Sequence, residues 1–404
     1  MNSGINYAGK KVVVGLTGRV GSAVAAFLLK KQGMDVIGVS IVTSSNAKDD
    51  DSLYPTCHID DLTIVQEFCA DLKIPFFATD GKSQFEYDVL DPLLANKLVC
   101  GSNLSCFNCT NFRLKVLLDK MTKLRADFIA TGHFCKVQKN FSANEYFVHS
   151  NSDVNSDQSF LLSGIDERYL KHLILPLGEL RAEEVNKIAT SFDLKVKKSR
   201  YKRGFCFQDE ESFSYYSKEK IPKSFLSDGQ VINVDTDNFH GDHEGVTHHY
   251  ITQKDLTFKA INPSDKDLEI VGYDYSKHLL KIGSKKNLTF KSCQLNNLQL
   301  SKGFDRSKPF QCFIKNKYNH EFVKTQLLFK NNSSALVLFE KEIYPVITGE
   351  ILVIFDKNTR NSKVIGQGYV GIGRDFNLID RADQFRSKDL DDEAPEFSVK
   401  TFRF

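Results

Sequence analysis

The chain has 404 residues, enough for two or three domains, since single cores stop growing at roughly 250–300 residues. With 41% hydrophobic and 26% charged residues its composition is globular, not disordered; its apolar runs fall short of the roughly 18 residues of a membrane span. A net charge of +3 leaves any anionic partner to local patches, and nine cysteines without a small secreted framework or signal peptide point to a reducing cytoplasm and to thiol or metal chemistry.

The first element is Val12–Val14, a β-branched apolar run that reads as a buried strand. Gly15 to Ser22 (GLTGRVGS) forms a glycine-rich turn, and Ala23–Lys31 (AVAAFLLKK) is a strong helix former. Strand, glycine turn and helix make the opening of a nucleotide-binding α/β domain, whose turn N–H groups and helix N-terminus suit an anion. The turn matches neither G-x-x-x-x-G-K-[ST] nor G-x-G-x-x-G, so a plain tight turn is the competing reading. Asp35–Val42 is a second strand, Ile59–Leu72 an amphipathic helix, Ile74–Thr79 a third strand, and Phe85–Val99 a helix. Phe112–Leu124 is a further helix, followed by the strand Ala126–Thr131. This order implies a mostly parallel sheet covered on both faces, with ligands beyond the carboxyl ends of its strands. The glycine turn and Thr131-Gly132-His133 both lie at such ends.

Cys106 and Cys109 form a C-x-x-C just ahead of the helix expected from Phe112, and Cys206 lies in Gly204-Phe205-Cys206-Phe207. A thiol near a helix N-terminus is favoured as thiolate. The set reads as a nucleophile with a resolving partner that passes persulfide sulfur, as three ligands of an iron–sulfur cluster with one open iron, or as buried structural cysteines. The other six cysteines read as structural. Lys195 to Arg203 (KVKKSRYKR) is strongly basic and leads straight into Cys206; Lys195, Lys197, Lys198, Arg200, Lys202 and Arg203 suit RNA phosphates, and Tyr201 suits stacking on a base. A solvated basic loop is the plain alternative. From about Asp228 short strands separated by Gly, Asn and Asp turns replace the helical pattern: Gln230–Val234, Thr247–Thr252, Leu268–Tyr273 and Lys277–Ile282. Leu288–Leu300, Phe310–Lys315, Glu321–Phe329, Ser334–Phe339, Glu350–Phe355 and Lys363–Tyr369 then suggest an antiparallel barrel.

These pieces together resemble the tRNA-specific 2-thiouridylase family of PP-loop ATP pyrophosphatases. Val14–Ser22 falls where that family carries S-G-G-x-D-S, and Cys57–Asp61 resembles the start of its next helix. Ser105–Cys109 falls on its first reactive cysteine, and Ala130–Phe134 resembles A-T-G-H-Y. Asp157–Phe160 resembles D-Q-S-Y, Leu175–Leu180 F-P-L-G-E-L, and Gly204–Phe207 G-I-C-F. His243-Glu244-Gly245 with Gln253-Lys254, and Pro345–Gly368, match its later segments. Two departures stand in the loop: Arg19 replaces a glycine and Gly21 replaces the aspartate.

The resemblance implies an α/β plus β protein. It would have an N-terminal doubly wound parallel-sheet PP-loop domain (1–210), a small β-rich central domain (211–285), a C-terminal antiparallel β-barrel (286–374) and a polar tail (375–404). It implies ATP-dependent adenylation of a wobble uridine followed by sulfur transfer through Cys106 or Cys109 with Cys206. Gly15, Leu16, Thr17, Gly18, Gly21, Ser22, Thr131, Gly132 and His133 would hold the nucleotide. Asp157, Gln158 and Ser159 would join the basic segment on RNA. The implied cofactors are ATP with Mg²⁺ and, in cluster-bearing members, a [4Fe-4S] cluster. The implied partners are the anticodon loop of tRNA and a sulfur donor such as a cysteine desulfurase or sulfur-relay protein. The alternatives are a tRNA-binding paralogue without ATP chemistry and an iron–sulfur or persulfide carrier.

Overall fold

The computed structural model describes residues 7–43, 62–98, 102–142, 144–196, 220, 227–245, 249–254, 267–274, 277–301, 304–316 and 321–371.

Val12, Val13 and Val14 form the middle of β1 (Lys11–Gly15) and are fully buried. Successive side chains of a strand point to opposite faces. Val12 and Val14 share a core with Ala23, Ala26 and Leu29 of α1 (Val20–Lys31) and with Val65 and Phe68 of α2 (Leu62–Asp71). Val13 joins Leu114, Leu117 and Met121 of α5 (Ser105–Lys123) on the other face. β1 pairs in parallel with β2 (Asp35–Val42) on one side and β4 (Phe128–Ala130) on the other. β3 (Phe76–Asp80) and β7 (Leu173–Ile174) extend the sheet to the order β3-β2-β1-β4-β7, parallel throughout. α3 (Lys82–Phe85) and α4 (Asp91–Leu98) flank one π-helical turn at Glu86–Leu90, where one continuous helix is expected.

Two boundaries move in ways that matter for chemistry. The helix after the glycine turn starts at Val20, so Gly21 and Ser22 lie in its first turn. Gly18 takes φ 73° and Arg19 an extended conformation as N-cap, which completes the reversal before residue 20. α5 begins at Ser105 rather than near Phe112, so the C-x-x-C lies inside the helix. A hairpin of β5 (Cys135–Asn140) and β6 (Glu145–Ser150) follows β4, and α6 (Glu167–Leu170) and α7 (Ala182–Ser191) complete the helices.

The second half is β-structure. β8 (Gly229–Asn233), β9 (Asn238–His243), β10 (Leu268–Asp274) and β11 (Leu279–Ser284) form a mixed sheet in the order β10-β11-β8-β9. Of the expected strand Thr247–Thr252, residues 249–252 instead form a turn, in which the Tyr250 N–H donates to Gln253 Oε1 at 3.2 Å. β12 (Phe290–Leu300), β13 (Phe310–Lys315), β14 (Val323–Phe329), β15 (Ala335–Ile343), β16 (Ile351–Phe355) and β17 (Val364–Val370) close into an antiparallel barrel ordered β12-β15-β14-β13-β16-β17. All five residues of β16 are apolar and buried because both faces are covered. Leu352 and Ile354 fill the barrel, whereas Ile351, Val353 and Phe355 join the core of the parallel-sheet unit.

Candidate nucleotide and sulfur-transfer site

The glycine loop is closed by its own hydroxyls. Ser22 Oγ accepts the Thr17 N–H and lies 3.1 Å from Thr17 Oγ1, and it donates to the Arg19 carbonyl at 3.1 Å. Leu16 is buried, with its N–H on the Val39 carbonyl at 2.8 Å, so only its backbone serves the loop. No acidic residue occupies the first turn of α1, which leaves the positive helix end to an anion from outside. Arg19 is buried rather than splayed into solvent.

Gly132 meets this loop at the carboxyl end of β4. A Cβ on Gly132 would lie 2.6 Å from the Gly21 carbonyl carbon, 2.7 Å from its oxygen and 2.8 Å from Ser22 N. Only glycine allows two backbones that close. Gly21 is different: a Cβ there would meet the Gly132 oxygen at 3.6 Å and Leu177 at 3.9 Å, which is ordinary contact. The missing aspartate at position 21 is therefore not a steric exclusion.

His133 lies beside Gly132, with Nδ1 2.7 Å from Thr131 Oγ1. Loss of water, together with the positive charge of Arg113, pushes its pKa down to about 4. The ring is therefore neutral at pH 7. Arg113 also donates from Nε to Cys109 Sγ at 3.1 Å. A cationic donor on sulfur favours thiolate over thiol. The same guanidinium that bonds the cysteine on α5 thus also exerts its charge on the histidine beside the glycine loop. Arg113 escapes the sequence reading for a simple reason. Cys109 and Arg113 are four apart and share a helix face, but a helix begun at Phe112 leaves Cys109 outside it.

Cys106 is part-buried in the first turn of α5, and its carbonyl accepts the Thr110 hydroxyl at 2.9 Å. Cys206 lies outside the described residues, as do Cys57–Asp61, Lys197, Lys198, Arg200, Lys202, Arg203 and the tail from residue 375. Among the described residues no group of three or more His, Cys, Asp or Glu is placed to hold a metal ion. Cys69, Cys135, Cys293 and Cys312 are buried, and burial raises each of their thiol pKa values, to about 12 at Cys69 and Cys312. They fit the structural reading.

The expected RNA contacts separate. Lys195 is exposed and pairs with Asp71 at 3.7 Å. Asp157, Gln158 and Ser159 make hydrogen bonds within the fold. Asp157 accepts from Asn151 N at 2.9 Å, Ser159 N at 3.2 Å, Ser159 Oγ at 2.9 Å and Lys315 Nζ at 3.1 Å. These four donors occupy its carboxylate oxygens, and the Asp157 and Lys315 side chains are only 3% and 8% exposed. Gln158 Oε1 accepts the Phe134 N–H at 3.0 Å, and Ser159 is fully buried. The motif fastens the barrel and the β4–β5 junction together.

No helix is long and apolar enough to cross a membrane among the described residues. Residues 10–210 match the family model described as the tRNA methyl transferase HUP domain. Over 354 residues the chain is 28% identical to the tRNA-specific 2-thiouridylase MnmA 1 of Geobacillus kaustophilus, covering 86% of this chain and 93% of the relative. The corresponding protein of Clostridium acetobutylicum is 26% identical over 355 residues, covering 86% and 96%. That of Mycoplasma mycoides is 28% identical over 367 residues, covering 86% and 95%. With its parallel-sheet unit, mixed sheet and closed barrel, the chain carries the tRNA methyl transferase HUP domain over residues 10–210 and is similar to tRNA-specific 2-thiouridylases along most of its length.

Proposed function

We propose that this protein is a tRNA sulfurtransferase of the 2-thiouridylase type, which adenylates the wobble uridine with ATP and replaces its C2 oxygen by sulfur. The observations that carry the reading are the close approach of Gly21 and Gly132 at the start of α1 and the Arg113–Cys109 hydrogen bond, with the Arg113 charge also acting on His133 beside Gly132. The relatives named above are 2-thiouridylases along nearly their whole length.

In this reading the N–H groups at the start of α1 hold the triphosphate, and the uridine O2 attacks the α-phosphorus with loss of pyrophosphate. A persulfide sulfur on Cys109, supplied by a desulfurase or sulfur-relay protein, attacks C2, and AMP departs. Cys206 then attacks the inner sulfur, leaving the outer sulfur on the base and a Cys109–Cys206 disulfide that an external thiol reduces. Neutral His133 adds no second positive charge beside Arg113, so the guanidinium remains with the sulfur. The base must leave the loop stack to be reached, as in single-stranded RNA recognition.

The family's ATP is used with Mg²⁺. Gly21 supplies no carboxylate to such a cation, so the loop residues fit the phosphate better than the metal, and no step is assigned to Mg²⁺. The described residues likewise assemble only Cys106 and Cys109 of the three candidate cluster ligands. Gly21 and Arg19 favour one second reading, a tRNA-binding paralogue without ATP chemistry. The deciding experiment combines the full chain, unmodified tRNA, ATP–Mg²⁺, cysteine and a cysteine desulfurase, with AMP and 2-thiouridine both quantified. Sulfur transfer predicts both products, and Cys109→Ser should abolish 2-thiouridine. Binding of tRNA without release of AMP or formation of 2-thiouridine would replace this reading with the second.

A further inference from the structure

The loop that enters α5 is held by the barrel. Ser102 is 2% exposed; its N–H donates to the Thr348 carbonyl at 3.2 Å and its hydroxyl to Glu350 Oε2 at 2.5 Å. Glu350 is 1% exposed, immediately before β16. Its own backbone is fixed on both sides: its N–H donates to Ile347 O at 3.0 Å, and its carbonyl accepts the Val370 N–H at 2.8 Å. Gly349, with φ 74°, donates to Val370 O at 2.8 Å and closes the turn onto β17. The acceptor is thus presented by a rigid corner. Beyond Ser102, Asn103 Oδ1 accepts the Ser105 N–H at 3.0 Å, and Cys106 and Cys109 follow in the opening turns of α5.

A buried carboxylate is costly unless its bonds are used, and a bond to a charged acceptor is roughly twice as strong as a neutral one. The hydroxyl that Glu350 meets lies 248 residues away, on the segment that leads to both candidate sulfurs.

We propose that Glu350 is a positioning residue for sulfur transfer: through Ser102 it fixes the first turn of α5 and so the direction of the Cys106 and Cys109 side chains. This rests on the sulfur-transfer reading and extends it to the barrel, which then serves the chemistry as well as the fold. A merely structural tie would instead hold the barrel in place without consequence for the thiols.

The test uses the full chain with Ser102→Ala, Glu350→Leu and Glu350→Gln, the last of which keeps an acceptor. Two readouts are needed: deuterium exchange of residues 102–109, and the rate of iodoacetamide alkylation at each cysteine, located by peptide mass spectrometry. Ser102→Ala should speed exchange across 102–109 about tenfold while β12–β17 stay protected. It should also change the Cys109 alkylation rate severalfold. Glu350→Gln should fall between wild type and Glu350→Leu. If Ser102→Ala and Glu350→Gln lower thermal stability but leave both readouts at wild-type values, the tie only docks the barrel and the proposal is overturned. Should Glu350→Leu fail to fold, Ser102→Ala, which removes a single oxygen, still decides. Neither readout needs ATP, tRNA or turnover, so a failure of the thiolation reading is recognised separately, by the product assay on wild type.

Discussion

Gly132→Ala and Gly21→Ala add the same methyl group on the two sides of one contact, and the structure predicts opposite outcomes. At Gly132 the new carbon lies 2.6 Å from the Gly21 backbone, so the β4 terminus and the loop must separate by about 0.8 Å to reach the 3.4 Å at which ordinary contact begins. Both atoms are backbone, one at the end of a sheet strand and the other in the first turn of a helix, so no side-chain rotation relieves the clash. Overpacking of this kind costs about 1–3 kcal/mol. The displacement falls on the N–H groups that would face phosphate, where an error near 1 Å costs about 10²-fold in rate. At Gly21 the methyl finds contacts of 3.6 Å and 3.9 Å, and its backbone is helical, where alanine is preferred over glycine by up to about 1 kcal/mol. The assay is urea denaturation together with ATP-dependent AMP release. Gly132→Ala should lose stability and most AMP release; Gly21→Ala should keep both. Equal behaviour of the two variants would refute the close-approach argument. Gly21→Asp shares the open space and should bind ATP–Mg²⁺ at least as well as wild type.

Three further outcomes follow from named contacts. Arg113→Ala should slow alkylation of Cys109 at neutral pH about tenfold, with Arg113→Lys partly restoring it, since a charge-assisted hydrogen bond contributes about 1.5–3 kcal/mol; an unchanged rate would remove Arg113 from the site. The pKa of His133 is lowered on folding, so the unfolded chain binds the extra proton and stability declines as pH falls through 6.5 toward 4, by about 2 kcal/mol between pH 8 and pH 5. Denaturation curves of wild type and His133→Asn at those two values should differ by that amount, and an NMR titration of the ring near 6.5 would contradict it. Lys315→Met leaves buried Asp157 without its cation and should cost about 3–5 kcal/mol in urea denaturation, most of it recovered by adding Asp157→Asn; a loss under about 1 kcal/mol would show the pair to be dispensable.

The parts of the fold legible in the sequence are those set by local patterns. Val12–Val14, Ala23–Lys31 and Asp35–Val42 lie in their expected elements because each is a run whose burial, propensity and length agree. The barrel strands are visible for the same reason. The start of α5 is hidden because SCFNCTN holds mostly weak helix formers, and tertiary burial of Phe107, Thr110 and Leu114 at helical spacing overrides that preference. The β5–β6 hairpin is hidden because Lys136, Gln138 and Lys139 interrupt its apolar positions; Lys136 is buried only because it reaches Glu179 at 3.0 Å.

What the sequence could not locate is the seam between its own units. Asp157–Lys315 and Ser102–Glu350 each join residues more than a hundred positions apart, and no periodic pattern encodes such pairs. Asp-Gln-Ser reads as a polar surface motif, yet its carboxylate is spent inside the joint. The apolar alternation of β16 says the same in hydrophobic terms: Leu352 and Ile354 belong to the barrel, while Val353 and Phe355 share a core with Val13 and Leu114. The barrel and the helix that carries Cys109 thus pack into one core. The Ser102–Glu350 bond ties the barrel to the chain three residues before the helix that carries Cys106 and Cys109. The candidate chemistry therefore lies where the barrel and the parallel-sheet unit share one interior, and substitutions at that joint should alter sulfur reactivity before they unfold the chain.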